Sequence, residues 1–345
     1  MTMEVNVLYG RGVRTGGPEA LHQLVHELRA VGVSAYLVPD RNTLGAVRVP
    51  EYDGYDAPER ATFPDEPGQV VVAPEVYLPE LLSLHRARRL CWWLSIDNSP
   101  VFRAERYLAD VLAGLADPPR AREVRALLWL ARREIGGWRR RPLHAVEHAA
   151  QSRYAAAYLS RRLGIEVPLL TDYIPGASAE IVPEQMPQRP PAVAFNPAKG
   201  RRLLGQVRKQ LGDAVDWHAI QGLSPEGVRQ LLGESTVYLD LGPHPGRDRM
   251  PREAALAGAV TVVARRGSGD HEEDVGIPPH HKVALGDHLA ERAAGVVSRI
   301  LEDPSTAYAE QAAYRAGIQL QEDSFRSEVA ALVARLEVPP RQATS

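Results

Sequence analysis

Three short stretches of this 345-residue chain concentrate side chains from which an anion site could be built. The first is Gly16-Gly17-Pro18-Glu19, ahead of a helix-period segment with Leu21, Leu24, Val25 and Leu28. Glycines admit a ligand close to the backbone, and Pro18 suits a first helical position. The free N–H groups of a helix start favour a phosphate. The competing reading is a plain strand-to-helix turn. The second stretch, Asn196-Pro197-Ala198-Lys199-Gly200, sets a rare lysine just ahead of a helix, where it either faces an anion or is solvated. The third runs from Asp240 to Gly258 and carries His244, Arg247, Asp248, Arg249, Arg252 and Glu253 around a helix start. Arginines there could neutralise a diphosphate bidentately, and a carboxylate could accept hydrogen bonds from sugar hydroxyls. The bland alternative is a salt-bridged loop.

Each stretch follows an apolar run that reads as a buried strand. Val5–Tyr9, then the glycine loop, a helix ending at Gly32 and the run Val33–Val38 make a βαβ unit with a parallel sheet. Gln69–Ala73, Pro79–Ala87 and Arg89–Ile96 continue the alternation. So do His148–Gln151, Arg153–Arg162 and Val167–Leu170. Between them, residues 102–142 turn helical and read as an insertion. Residues 174–191 hold Pro175, Pro183, Pro187, Pro190 and Pro191, a linker signal. A second series follows: strands at Ala192–Phe195, Asp216–Ile220, Thr236–Leu241 and Ala259–Val263 alternate with helices, and terminal helices span Leu289–Leu301 and Thr306–Leu336. The expected organisation is a Rossmann-like domain over 1–173, a linker over 174–191, a second Rossmann-like domain over 192–320, and a C-terminal helix and tail over 321–345 that could cross back. Ligands in open α/β sheets bind outside the carboxyl ends of the strands. Two such domains facing each other would place a site in a cleft.

These pieces together resemble the GT-B glycosyltransferases, specifically the group-1 (family-4) retaining type. Gly16-Gly17-Pro18-Glu19-Ala20-Leu21 looks like that family's donor loop, Lys199-Gly200 like its phosphate-meeting pair, and Glu253-Ala-Ala-Leu-Ala-Gly258 like its ribose-binding segment. Trp92–Asn98, Leu170–Tyr173 and His244–Glu253 look like a bacterial subgroup associated with surface-polysaccharide loci. The resemblance implies transfer of a sugar from a nucleoside-diphosphate-sugar donor to a glycan, lipid-linked or small-molecule hydroxyl. Gly16, Gly17, Asn196, Lys199, Arg247 and Arg249 would serve the diphosphate side, Glu253 would hold the ribose, and no essential metal or other cofactor is expected. One departure stands out. The family's first glutamate would fall at position 245, which is Pro245; either His244 or Asp248 substitutes for it, the donor differs, or turnover is impaired. A retaining transfer needs no strong base. An inverting one does, and Asp97, at a strand end, is then the first candidate.

Composition narrows the remaining classes. The net charge of -2 gives no bulk basic field for nucleic acid. The single cysteine, Cys91, excludes an internal disulfide framework and a Cys–Cys zinc site. With no long apolar run, the expectation is a cytoplasmic protein. The arginine-rich segment 120–141 reads as a solvated helical hairpin or as a contact with an anionic membrane face. His271–Asp274 with His280-His281 lacks diagnostic metal spacing. Trp92 and Trp93 read as sheet core rather than as a sugar platform. The rivals to a transferase are a GT-B-shaped binding protein that has lost turnover and a nucleotide-sugar epimerase of the same shape. A dehydrogenase is disfavoured because the first loop lacks Gly-x-Gly-x-x-Gly.

Overall fold

The apolar runs become the strands of two parallel five-stranded sheets in the computed structural model, which describes residues 3–112, 141–180 and 182–338. The chain divides into two units, Met1–Ala109 with Pro118–Asp172 and Asp323–Ser345, and Asp110–Asp117 with Tyr173–Glu322. Each unit carries one sheet, so the fold is a two-domain Rossmann-like α/β fold.

In the first unit β1 (Glu4–Tyr9), β2 (Ser34–Pro39), β3 (Gln69–Pro74), β4 (Arg88–Trp93) and β5 (Glu147–Ala150) lie in the order β2-β1-β3-β4-β5. Val5 and Val7 of β1, Val71 and Val72 of β3, and Leu90 to Trp93 of β4 are wholly buried, as expected where helices cover both sheet faces. Among the described residues, four helices accompany these strands: α1 (Gly16–Ala30), α2 (Leu78–Leu82), α3 (Arg103–Leu112), whose end passes to the second unit, and α4 (Arg153–Leu163). Ser152 caps α4 by accepting from the Ala155 N–H, and Gly164 ends it in the left-handed region. Trp92 and Trp93 are both core residues. Successive strand positions face opposite ways, and each indole N–H finds a buried acceptor, the Leu170 carbonyl at 2.7 Å and His148 Nδ1 at 3.0 Å.

In the second unit β6 (Ala192–Phe195), β7 (Asp216–Ala219), β8 (Val237–Asp240), β9 (Val260–Ala264) and β10 (Lys282–Val283) take the order β10-β9-β8-β6-β7. Helices α5 (Arg201–Leu211), α6 (Pro225–Glu234), α7 (Arg249–Leu256), α8 (Leu289–Glu302), α9 (Pro304–Glu310) and α10 (Ala312–Gln319) complete it. The last helix, α11 (Gln321–Glu337), supplies its residues from Asp323 onward to the first unit. There Phe325 stacks on Trp92, Glu328 accepts from the Thr171 N–H and hydroxyl, and Arg88 donates to the carbonyls of Arg335, Leu336 and Val338.

Several local readings change. Residues 167–170 form no strand; one bridge joins Leu169 to Ala150, because Pro168 has no N–H to extend a ladder and only its carbonyl is used, by the Ala150 N–H. The helix expected over Thr306–Leu336 is three helices, interrupted at Gln311 and Leu320. Gln311 is fully buried, and its amide is committed to both backbone groups of Thr261. The proline-rich stretch 174–191 is fastened to the second unit: Ile174 and Ala177 join its core, and Arg189 donates to the carbonyls of Ser235 and Ala257. Of the helical insertion over 102–142, α3 is described; the rest, including most of the arginine-rich segment, lies outside the described residues. No helix among the described residues is long and apolar enough to cross a membrane.

Candidate functional site

In the second unit the loops after β6 and β8 meet at the carboxyl ends of the strands. Asn196 builds the first loop: its side-chain oxygen accepts from the Ala198 N–H at 2.9 Å and its carbonyl from the Lys199 N–H at 3.0 Å. Lys199 is thereby laid over Gly242, where a Cβ would stand 2.6 Å from the Lys199 Cβ. Only glycine permits that approach. The Lys199 ammonium then lies 3.2 Å from Asp240 and 2.5 Å from Asp248.

Asp240, at the end of β8, also accepts from the Gly242 N–H (2.9 Å) and the Tyr238 hydroxyl (3.1 Å). His244 is fully buried, with Nδ1 3.0 Å from Asp248 and Nε2 3.9 Å from Asp240. Burial alone would lower the His244 pKa, but the two carboxylates outweigh it and raise it. The Asp248 carboxyl, raised by burial but lowered more by His244 and Lys199, is held at about 2. Lys199 is likewise raised, its burial overcome by the two aspartates. His244 is seated from behind by the loop after β9. The Ser268 N–H donates to the His244 carbonyl at 2.9 Å, and a Cβ on Gly267 would collide with that same oxygen.

Asp248 also stands at the start of α7. One turn in, Arg249 Nε lies 3.1 Å from Glu253, both partly exposed. Arg252 is buried and structural: it donates to the carbonyls of Arg247 and Asp248 and to Gln321. The structure thus brings together Lys199, His244 and Asp248 around Asp240, with Asn196 shaping the turn and Arg247, Arg249 and Glu253 on the adjoining loop and helix. Sequence reasoning gave no role to Asp240, although its place at a strand end ahead of the glycine and proline loop was the available signal.

The first unit holds the other candidates. Gly16 and Gly17 open α1, and Tyr52 steadies the loop before them by donating to the Thr15 carbonyl at 3.1 Å. Asp97, beyond β4, accepts from Arg106 Nε at 3.0 Å and from the Tyr154 hydroxyl at 2.9 Å. It is therefore a tethered carboxylate rather than an open base. Glu75, just after β3, escaped sequence reasoning altogether. It is 2% exposed, and its carboxylate accepts from the Leu94 N–H at 2.8 Å.

Two groups of side chains among the described residues have the proximity a metal ion needs, Asp240–His244–Asp248 and His280–His281–Glu310. The Lys199 ammonium already supplies the cation of the first. In the second, Gln311 donates to His281 Nδ1 at 2.9 Å. This leaves the proton of the neutral ring on Nε2, the atom facing Glu310, with no lone pair for a cation.

No protein-family model and no curated protein sequence matches the chain. Solved structures do. The sucrose-phosphate synthase of Thermosynechococcus elongatus superposes with a TM-score of 0.61 at 14% identity, over 97% of this chain and 99% of that one. A glycosyltransferase from Rickettsia africae gives 0.58 at 10% identity, over 97% of each chain. HepE from Anabaena, in complex with UDP-glucose, gives 0.58 at 12% identity, over 96% of this chain and 100% of that one. The fold is theirs over nearly the whole chain. At such identities the likeness speaks for the fold alone.

Proposed function

We propose that the chain is a glycosyltransferase that takes its sugar from a nucleoside-diphosphate donor. The observation that carries this reading is the charged constellation at the carboxyl ends of β6 and β8, in a chain whose fold is matched along its whole length by a structure crystallised with UDP-glucose. The Lys199 ammonium lies between Asp240 and Asp248, and His244 packs against both carboxylates. The cluster serves as a rigid floor. Its neighbours Arg247 and Arg249 supply the net charge for a diphosphate, with the Lys199 ammonium as a further donor. When Arg249 turns from Glu253 to phosphate oxygens, the Glu253 carboxylate becomes available to the ribose hydroxyls. Catalysis consists of stabilising charge on the departing diphosphate. With Asp97 bound by Arg106 and Tyr154, this favours a retaining course over one that needs a base.

A second reading, a nucleotide-binding protein with weak turnover, is favoured by one observation: His244 is closed off from solvent and Pro245 stands beside it, so neither replaces a sugar-contacting carboxylate. Calorimetric titration with UDP and UDP-glucose tests the site, and Arg249→Ala is expected to weaken UDP binding at least about tenfold, roughly 1.4 kcal/mol. Unchanged affinity in that variant would remove the assignment. Binding without sugar transfer or donor hydrolysis would select the second reading. The anomeric configuration of the product, read by NMR, decides between retention and inversion.

A further inference from the structure

The first unit contains a buried carboxylate that the proposed chemistry leaves unused. In the strand order β2-β1-β3-β4-β5 the chain leaves β1 toward β2 on one side and returns to β3 on the other. The carboxyl ends of β1 and β3 therefore flank the point where open α/β sheets place ligands. The Gly10–Gly17 loop follows β1, and Glu75 follows β3. A burial this complete is costly for a carboxylate without a cation beside it. Glu75 has the Leu94 amide instead, donating to its carboxylate at 2.8 Å, with the amides of Ser95 and of Glu75 itself also drawing its pKa down. Leu94 and Ser95 begin the loop that leads from β4 to Asp97, and the Leu94 side chain reaches 3.5 Å from where a Cβ on Gly17 would stand. One carboxylate thus ties two strand ends and a helix start together: β3 by sequence, β4 by the Leu94 hydrogen bond, and the start of α1 through the Leu94 side chain.

We propose that Glu75 is a positioning residue, whose grip on the Leu94 and Ser95 amides sets both the loop that carries Asp97 and the packing of the Gly16-Gly17 helix start. Burial pushes its carboxyl up to about 7, against the pull of the three amides. The titratable side chain facing it is the Cys91 thiol on β4, itself pushed well up by burial and then by Glu75, and so neutral. Releasing the Leu94–Ser95 loop would hydrate the carboxylate and return it toward its ordinary value of 4.5, so the loop is held tightest below neutrality, where Glu75 is protonated, and loosens above it. Its consequence for sugar transfer rests on the glycosyltransferase reading; its consequence for the loop does not.

The test is amide hydrogen exchange of the full-length protein at pH 6 and pH 8, corrected for intrinsic rates, alongside kcat and KM for UDP-glucose. In the wild type, protection of Leu94 and Ser95 should fall about tenfold from pH 6 to pH 8. Glu75→Gln should remove that pH dependence while keeping some protection, and Glu75→Leu should lose protection at both pH values. If the Leu variant does not fold, the Gln variant decides alone. In transfer, Glu75→Gln should abolish the inflection of kcat/KM for UDP-glucose near pH 7. Exchange or a kcat/KM–pH profile indifferent to Glu75→Gln overturns the proposal. Failure of the wild type to bind any of a panel of nucleoside diphosphates, or to transfer sugar from their sugar derivatives, overturns the glycosyltransferase reading instead, and exchange still decides the role of Glu75.

Discussion

The two sheets end in opposite electrostatic solutions. At the carboxyl ends of β6 and β8, buried charge is matched by buried charge: Asp240 and Asp248 against Lys199 and His244, at 2.5–3.9 Å. At the ends of β1 and β3, Glu75 is buried with amide dipoles for company. The opposite charges raise Lys199 and His244 and hold Asp248 down at about 2, so each sign in the cluster favours the other. Amides alone do not overcome desolvation, and the first unit is left with a group that titrates near neutral pH.

Four experiments would break or sharpen that contrast. Asp240→Ala should cost the most, about 3–5 kcal/mol of unfolding free energy by denaturant titration at pH 7, because it strands Lys199 and His244 with one carboxylate between them. A loss below about 1 kcal/mol would mean that the charges are not mutually dependent. Glu75 should show the opposite sign. Its raised pKa means that the folded chain holds an extra proton between the ordinary glutamate value of 4.5 and about 7. Stability is therefore drained as pH climbs through that window, and the stability of Glu75→Gln relative to wild type should improve by about 3 kcal/mol from pH 4 to pH 8. Asp248 runs the other way again. Lowered from 3.8 to about 2, it contributes stability above its unfolded pKa that disappears as pH falls toward 2. Asp248→Asn should flatten that acid limb by about 2 kcal/mol. Smallest is Gly12→Ala. Gly12 sits at φ +78, and a Cβ there would meet Ala46 at 2.8 Å, so a loss of about 1–2 kcal/mol is expected, without any change in the pH dependence assigned to Glu75.

The two-sheet architecture was legible in the sequence because fully buried parallel strands are written as apolar runs, as at Val70–Val72 and Val260–Val263. The polar constellation of the second unit was half legible. Its residues could be named from the density of charge between Asp240 and Glu253, but their pairing could not. Lys199 reads as a phosphate ligand by its place before a helix, yet its neutralisation by Asp240 and Asp248 depends on two loops packing through Gly242, forty-three residues later in the chain. Glu75 was illegible for a different reason. A glutamate after a proline at a strand end looks like any surface turn residue, and its burial is created by Leu94 and Ser95, which arrive from the next strand. Likewise, Pro168 defeated the reading of 167–170 as a strand because an apolar pattern says nothing about a missing donor.

The stacking of Phe325 on Trp92 and the grasp of Arg88 on the carbonyls of Arg335, Leu336 and Val338 also bear on the order of biosynthesis. The first unit, although most of it is translated first, lacks part of its own interior until residues 325–338 have left the ribosome. The second unit can close on itself before those residues appear, so the order of completion reverses the order of synthesis.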